Sequence, residues 1–271
     1  MIGAQKGGTT SLTNHMQSHP DVCAVAEARI GSRLGSNSTK FNWNLWARNA
    51  LCGSSCPTLI GVVDPSGAYA ITYLGVQGAS IANAFAQHAP MKLVLLLREP
   101  IQRAFSAYRM GQERDFRYEF RYASFDKLVK AEVPRLASLP PVWSGNAREN
   151  LRLGMYGEQL DALARAGFVF PGARLCILIS ERILANATRE YSRLWAFLGA
   201  SHATTHSHFD FVANWSSTNN LSAFAAVHLY RAYYNSTSHV YAVLWAAWSK
   251  SGRRGTTRIS LASRLSLRTH N

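Results

Sequence analysis

Acidic residues are scarce in this chain. Fifteen Asp and Glu stand against twenty-nine Lys and Arg among 271 residues, for a formal charge of +14. The surface is therefore expected to attract anions, whether nucleotides, acidic polysaccharides, nucleic acids or membrane headgroups. Charge by itself does not choose among them. Part of the excess falls in residues 251–271, where Arg253, Arg254, Arg258, Arg264 and Arg268 stand among Ser and Thr and read as a solvated, disordered basic tail. Cysteine is also sparse. Cys23, Cys52, Cys56 and Cys176 are too few for a disulfide scaffold, and their spacing is not that of a zinc site. Cys176 lies in an apolar run and is expected to be a buried thiol. Cys52 and Cys56 flank a short Gly-Ser-Ser loop and would pair only in an oxidising compartment. No apolar run reaches the ~18 residues of a membrane-crossing helix, and no charged-then-apolar leader precedes the first glycine-rich segment, so the chain is expected to be soluble as it stands. No internal repeat is present.

Hydrophobic residues make up 47% of the chain and aromatics 11%, enough to bury one large core, so residues 1–250 are read as a single domain ahead of the tail. Asn-x-Ser/Thr sequons occur at Asn37, Asn186, Asn214, Asn220 and Asn235 and favour a secretory glycoprotein only weakly. Apolar runs and turn signals alternate as strand-then-helix units. That pattern predicts an α/β fold, a parallel central sheet with helices on both faces. Strands are expected at Met1–Gly3, Leu59–Val63, Lys92–Leu97 and Arg174–Ile179. Helices are expected at Thr9–Gln17, Val76–Gln87, from Pro100, and at Phe125–Leu136, Met155–Ala166, Thr188–Leu198 and within Phe224–Trp248. The first strand is a stub where a nucleotide fold ordinarily has about five residues, so it is expected to be truncated, along with any upstream membrane anchor.

The loop Gly3-Ala4-Gln5-Lys6-Gly7-Gly8-Thr9-Thr10-Ser11 joins that stub to a helix start. Glycines there let backbone N–H groups approach an anion, and the helix N-terminus adds a favourable field. The loop is P-loop-like, but Thr9 replaces the lysine that follows the second glycine of a Walker A motif, and the loop's lysine is the internal Lys6. Further along, Leu95-Leu96-Leu97-Arg98-Glu99-Pro100 places an arginine at the carboxyl end of a central strand, where open α/β sheets bind ligands. Arg98 and the helix hydroxyl of Ser106 suit a phosphate gripped from two sides.

The loop resembles the G-x-Q-K-G-G-T-T-x-L signature of the sulfotransferases that use 3′-phosphoadenosine 5′-phosphosulfate (PAPS), in particular the Golgi carbohydrate, glycosaminoglycan-type branch. The run from Leu97 to Tyr108 resembles that family's L-R-[ND]-P-x-x-R-x-x-S-x-Y, with Glu99 departing from the usual Asn or Asp. Gly154-Met155-Tyr156-Gly157-Glu158-Gln159-Leu160, Phe170-Pro171-Gly172 and Phe197-Leu198-Gly199 follow in the family's order.

The resemblance implies a P-loop-like fold that moves a sulfuryl group from PAPS to a hydroxyl or amino group of a carbohydrate, with no metal. It implies that Lys6, Gly7, Gly8, Thr9, Thr10 and Ser11 hold the 5′-phosphosulfate, Lys6 also serving catalysis, and that Arg98 and Ser106 hold the 3′-phosphate. Arg103 is expected to be structural. After His19-Pro20-Asp21-Val22, Glu27 occupies the general-base position, but Arg29 replaces a polar residue and the family's aromatic pair is missing. A nearby Arg depresses a carboxylate's pKa and weakens it as a base. Asp64 stands in an altered Gly-Glu-Lys segment whose lysine is gone; with Arg29 it is a candidate acceptor contact, and it is also an alternative base or simply the end of a strand. The implied partner is a carbohydrate, anionic in keeping with the basic surface, with no nucleic acid. The implied compartment is the Golgi lumen, although the residues themselves leave the cytoplasm open. Against this stand a catalytically inactive relative that binds PAPS or a polyanion, and a P-loop kinase, which Thr9 and the lack of a magnesium-binding acidic strand end disfavour.

Overall fold

The computed structural model describes residues 2–3, 6–25, 59–62, 92–113, 122–136, 150–165, 168, 172–201 and 221–233. In chain order these form β1 (Ile2–Gly3), α1 (Thr9–Gln17), β2 (Val22–Val25), β3 (Leu59–Val62), β4 (Leu93–Leu97), α2 (Pro100–Glu113) and α3 (Phe125–Leu136). A single 3-10 turn (Leu151–Gly154), α4 (Tyr156–Arg165), β5 (Leu175–Ile179), α5 (Ser180–Ala185) and α6 (Ala187–Leu198) follow, then α7 over 223–233. The helix expected at Val76–Gln87, the end of the Phe224–Trp248 helix and the 251–271 tail lie outside the described residues.

Every pairing between these strands is parallel. The order β1-β4-β5 makes one sheet, and β2 pairs with β3 in a second. β1 spans two residues and pairs through Ile2 with Leu95 and Gly3 with Leu96, so β4 is the middle strand of its sheet. The expectation of one continuous sheet is thus met as two parallel groups among the described residues. β2 was not foreseen. Four residues straight after a proline turn carry too little alternation to be read as a strand.

All five residues of β4 are buried, as a strand covered on both faces requires. Val94 and Leu96 join Cys176 and Leu178 of β5 in a cluster with Leu12 and Met16 of α1, Ile183 of α5, and Tyr191, Leu194 and Trp195 of α6. Alternation sends Leu93, Leu95 and Leu97 to the opposite face, where they are equally buried. A second core holds Ala104, Phe105 and Tyr108 of α2, Phe125, Leu128 and Val129 of α3, Leu151, and Ala225, Leu229 and Tyr233 of α7. Cys176 is a free, buried thiol, as expected, and burial pushes its pKa up to about 11, which keeps it unreactive near neutrality.

The sequence strings shared with the resembled family have visible structural reasons. A Cβ on Gly154 would lie 2.9 Å from the Tyr233 ring, so only glycine admits that ring, whose hydroxyl donates to the Leu151 carbonyl at 2.7 Å. Gly199 ends α6 at φ 83°, a left-handed residue that caps the helix by donating to the Trp195 carbonyl. In the His-Pro-Asp turn, His19 Nδ1 accepts from the Asp21 N–H while Nε2 lies 3.0 Å from the Ser201 carbonyl, and Asp21 accepts in turn from the Ser201 N–H and hydroxyl. This turn therefore docks the end of α1 on the end of α6. Asn186, exposed and within a sequon, caps α6 by accepting from the Arg189 N–H.

His15 stacks between this turn and α6, 3.9 Å from the Tyr191 ring centroid and 5.6 Å from that of Trp195. Burial, with His19 nearby, lowers its pKa from 6.5 to about 4. The folded state thus keeps this ring neutral while the unfolded chain takes up a proton, so stability falls as the pH drops from about 6.5 toward 4 and changes no further below. The expected cost is on the order of 1–2 kcal/mol after partial solvent screening. Urea unfolding at pH 7 and pH 5 measures it, and His15→Phe is expected to flatten that dependence; an equal slope in the variant would refute the assignment.

Candidate active site

The register that pairs Gly3 with Leu96 brings the loop after β1 and the residues after β4 to one carboxyl edge of the sheet. Between β1 and α1 the loop turns through Lys6 at φ 66° and Gly8 at φ 91°. A left-handed backbone is costless for glycine. For a lysine it stores roughly 1 kcal/mol, a cost that recurs at ligand-binding turns. Gly8 caps α1 without a side-chain acceptor, so the N–H groups of the first turn, Thr9 to Ser11, have no partner within the helix and point out of its start. Thr9 is buried, its carbonyl bonded by the Thr13 hydroxyl at 2.8 Å, whereas Thr10 is exposed and Ser11 half-buried.

Arg98 lies against this loop. Its Nη1 donates to the Lys6 carbonyl at 3.0 Å. The Lys6 ammonium reaches the Met110 thioether of α2, 3.5 Å away. Ser106 is one turn before Met110 and so shares its stripe of α2. Lys6 thus meets both Arg98 and α2, with Ser106 one turn along that helix from Met110. Glu27, Arg29 and Asp64 lie outside the described residues. In sequence Glu27 follows the last residue of β2 by the same interval as Asp64 follows the last residue of β3, and those last residues, Val25 and Val62, are register partners.

A supporting layer not foreseen from the sequence holds this edge. The peptide linking Arg98 to Glu99 is bonded at both ends: the Tyr156 hydroxyl donates to the Arg98 carbonyl at 2.9 Å, and the Glu99 N–H donates to Glu181 Oε1 at 2.9 Å. Burial pushes the Tyr156 phenol above its ordinary range, so it remains a protonated donor. Glu99 accepts from the N–H groups of Ile101 and Gln102 at 3.1 and 2.7 Å and so caps α2 ahead of Pro100. The glutamate that departs from the Asn or Asp pattern performs the same capping with a longer arm. Burial raises its pKa, and the two backbone donors hold it down. Burial also lowers the Arg98 pKa, against the pull of Glu181, Tyr156 and Glu99. The sequence signal for Glu181 and Ser180 was their place directly after β5, at the same carboxyl edge.

Arg103, the other arginine of this run, turns inward. It is fully buried and its Nη2 donates to the backbone carbonyl and Oδ1 of Asn150. Among the described residues no group of three His, Cys, Asp or Glu is placed to hold a metal ion, and no helix is long and apolar enough to cross a membrane.

No family model matches the chain. Over 217 residues, 78% of its length, it is 28% identical to heparan sulfate glucosamine 3-O-sulfotransferase 3B1 of Mus musculus, covering 48% of that protein. It is 25% identical over 217 residues to heparan sulfate glucosamine 3-O-sulfotransferase 6 of Homo sapiens, covering 55%. The chain thus spans about half the length of the curated relatives it matches. The crystal structure of a sulfotransferase from Alicyclobacillus acidocaldarius superposes with a TM-score of 0.62 over 92% of this chain and 97% of the other, at 18% identity. By sequence the chain is similar to heparan sulfate glucosamine 3-O-sulfotransferases, and its fold is that of the Alicyclobacillus acidocaldarius sulfotransferase.

Proposed function

We propose that this chain transfers a sulfuryl group from PAPS to a hydroxyl or amino group of a carbohydrate. The observation that carries the proposal is the bond from Arg98 to the Lys6 carbonyl, which makes neighbours of two cationic groups at the carboxyl edge of a parallel sheet. One nucleotide with phosphates at both ends of its ribose suits such a pair. Lys6, with the N–H and hydroxyl groups from Gly7 to Ser11, grips the 5′-phosphosulfate; Arg98 and Ser106 grip the 3′-phosphate. The donor supplies an activated sulfuryl group. As the S–O bond to the phosphate breaks, Lys6 offsets the negative charge that develops on the leaving oxygen. Glu27 takes the proton of the acceptor group from the side opposite the leaving phosphate, as in-line displacement requires, and Asp64 and Arg29 line the acceptor side. The relatives' names and the +14 charge support an anionic glycosaminoglycan as acceptor. On this reading residues 1–250 are the catalytic domain, residues 251–271 a basic tail, and the Golgi lumen the place of work.

Incubation of the protein with sulfur-labelled PAPS and a panel of polysaccharides tests the reading, with heparan sulfate included. Labelled polysaccharide, absent when boiled protein is used, is the expected result. Binding of PAPS without transfer to any acceptor would instead identify an inactive relative.

A further inference from the structure

Ser180, the first residue of α5, is buried, and its hydroxyl does something no capping or packing role requires. Oγ lies 2.5 Å from the Gly7 carbonyl and 2.9 Å from the Leu97 carbonyl, sharing one proton between them. Gly7 belongs to the loop after β1, and Leu97 is the last residue of β4, directly before Arg98. Because the strand order is β1-β4-β5 and Ile179 of β5 is in register with Leu97, Ser180 reaches over the end of the middle strand to tie the outer loop to it. A further tie between these segments is the bond from Arg98 to the Lys6 carbonyl. An arginine that turns to an incoming phosphate gives up that bond. The bonds of the buried serine to the two carbonyls do not depend on that turn.

We propose that Ser180 is a positioning residue that sets the spacing between the Lys6 loop and Arg98, and so lets one doubly phosphorylated nucleotide engage both. The inference rests on the donor reading above. A ligand held at two points gains over either half because its second contact is intramolecular, and the gain disappears when the grips are out of step with the ligand's length. Displacement of one grip by a fraction of an ångström therefore penalises the nucleotide that spans both and spares those that use one.

The test is direct binding, by calorimetry on the full chain, of adenosine 3′,5′-bisphosphate, adenosine 5′-monophosphate and adenosine 3′-monophosphate. The wild type is expected to hold the bisphosphate far more tightly than either monophosphate. Ser180→Ala is expected to lose about tenfold for the bisphosphate while keeping each monophosphate within about twofold. Ser180→Thr, which retains the hydroxyl, restores the difference. Ser180→Cys, with a sulfur of weak donor strength, gives the same selective loss and serves if the alanine variant does not fold. Equal losses for all three ligands, or none, in the folded variants overturn the spacing role while leaving the donor reading intact. A wild type with no preference for the bisphosphate overturns the donor reading, and this inference with it.

Discussion

Lys6→Ala removes sulfuryl transfer almost entirely, by about 10²–10³-fold in kcat, if the ammonium meets the charge that develops on the leaving phosphate. The loop should survive the change. Lys6 sits at φ 66°, and alanine pays the same steric cost there, so the substitution neither relieves nor adds strain. Among what the fold loses is the approach of the ammonium to the Met110 thioether at 3.5 Å, a soft and exchangeable partner. Lys6→Gly separates charge from conformation. Glycine removes the left-handed penalty, so that variant is expected to be as inactive as alanine yet no less stable than the wild type, apart from the greater freedom of its unfolded chain. Steady-state rates and thermal melting of both variants make the check. Transfer by Lys6→Ala within about threefold of wild type would remove Lys6 from the chemistry, since a lost charge-stabilising donor costs far more.

For Arg103→Ala the expected loss is of stability, about 2–5 kcal/mol. The guanidinium is fully buried, and it holds Asn150 by its carbonyl and its side chain. Asn150 in turn donates to the Ala104 carbonyl at 2.8 Å, while the next N–H, of Leu151, donates to the buried Glu132 at 2.9 Å. Removing the arginine leaves acceptors without their donor and a void the size of a long side chain, in a core shared by α2, α3 and α7. Arg103→Met fills the volume without the donors and should recover part of the loss; Arg103→Lys, lacking the planar fork, should not behave as conservative. Urea unfolding with the slope held constant measures these differences. A stable Arg103→Ala protein with weakened nucleotide binding would reverse the assignment and make Arg103 a ligand. On the proposed reading the two arginines separate a binding charge from a building one within six residues of sequence.

That separation was partly legible beforehand. Arg98 ends a run of apolar strand residues and Arg103 was expected to be structural, but helical periodicity set Arg103 with Ser106 on the side away from the apolar stripe of α2, so its burial against Asn150 came only from the structure. The bounds of α1 and α3 were read correctly, because each has several turns of apolar spacing with a stop signal after it. The six-residue α5 was missed, being too short to show a period, and with it Ser180 and Glu181. Glu99 looked like a defect in a phosphate motif. Its two hydrogen bonds to the start of α2 show a cap, a distinction that depends on where a flexible side chain folds back and not on its identity.

Composition, strand-helix alternation and the glycine-rich loop determined the parallel architecture, the buried β4 and the cationic groups available at a strand end, because local spacing and polarity are written residue by residue. Only the tertiary structure decided that Lys6 meets Arg98 and Met110 and that Ser180 meets Gly7 and Leu97, since those contacts join positions as far as 173 residues apart. Which side chains then bind and which brace follows from strand order and burial, properties that arise only when the sheet has assembled.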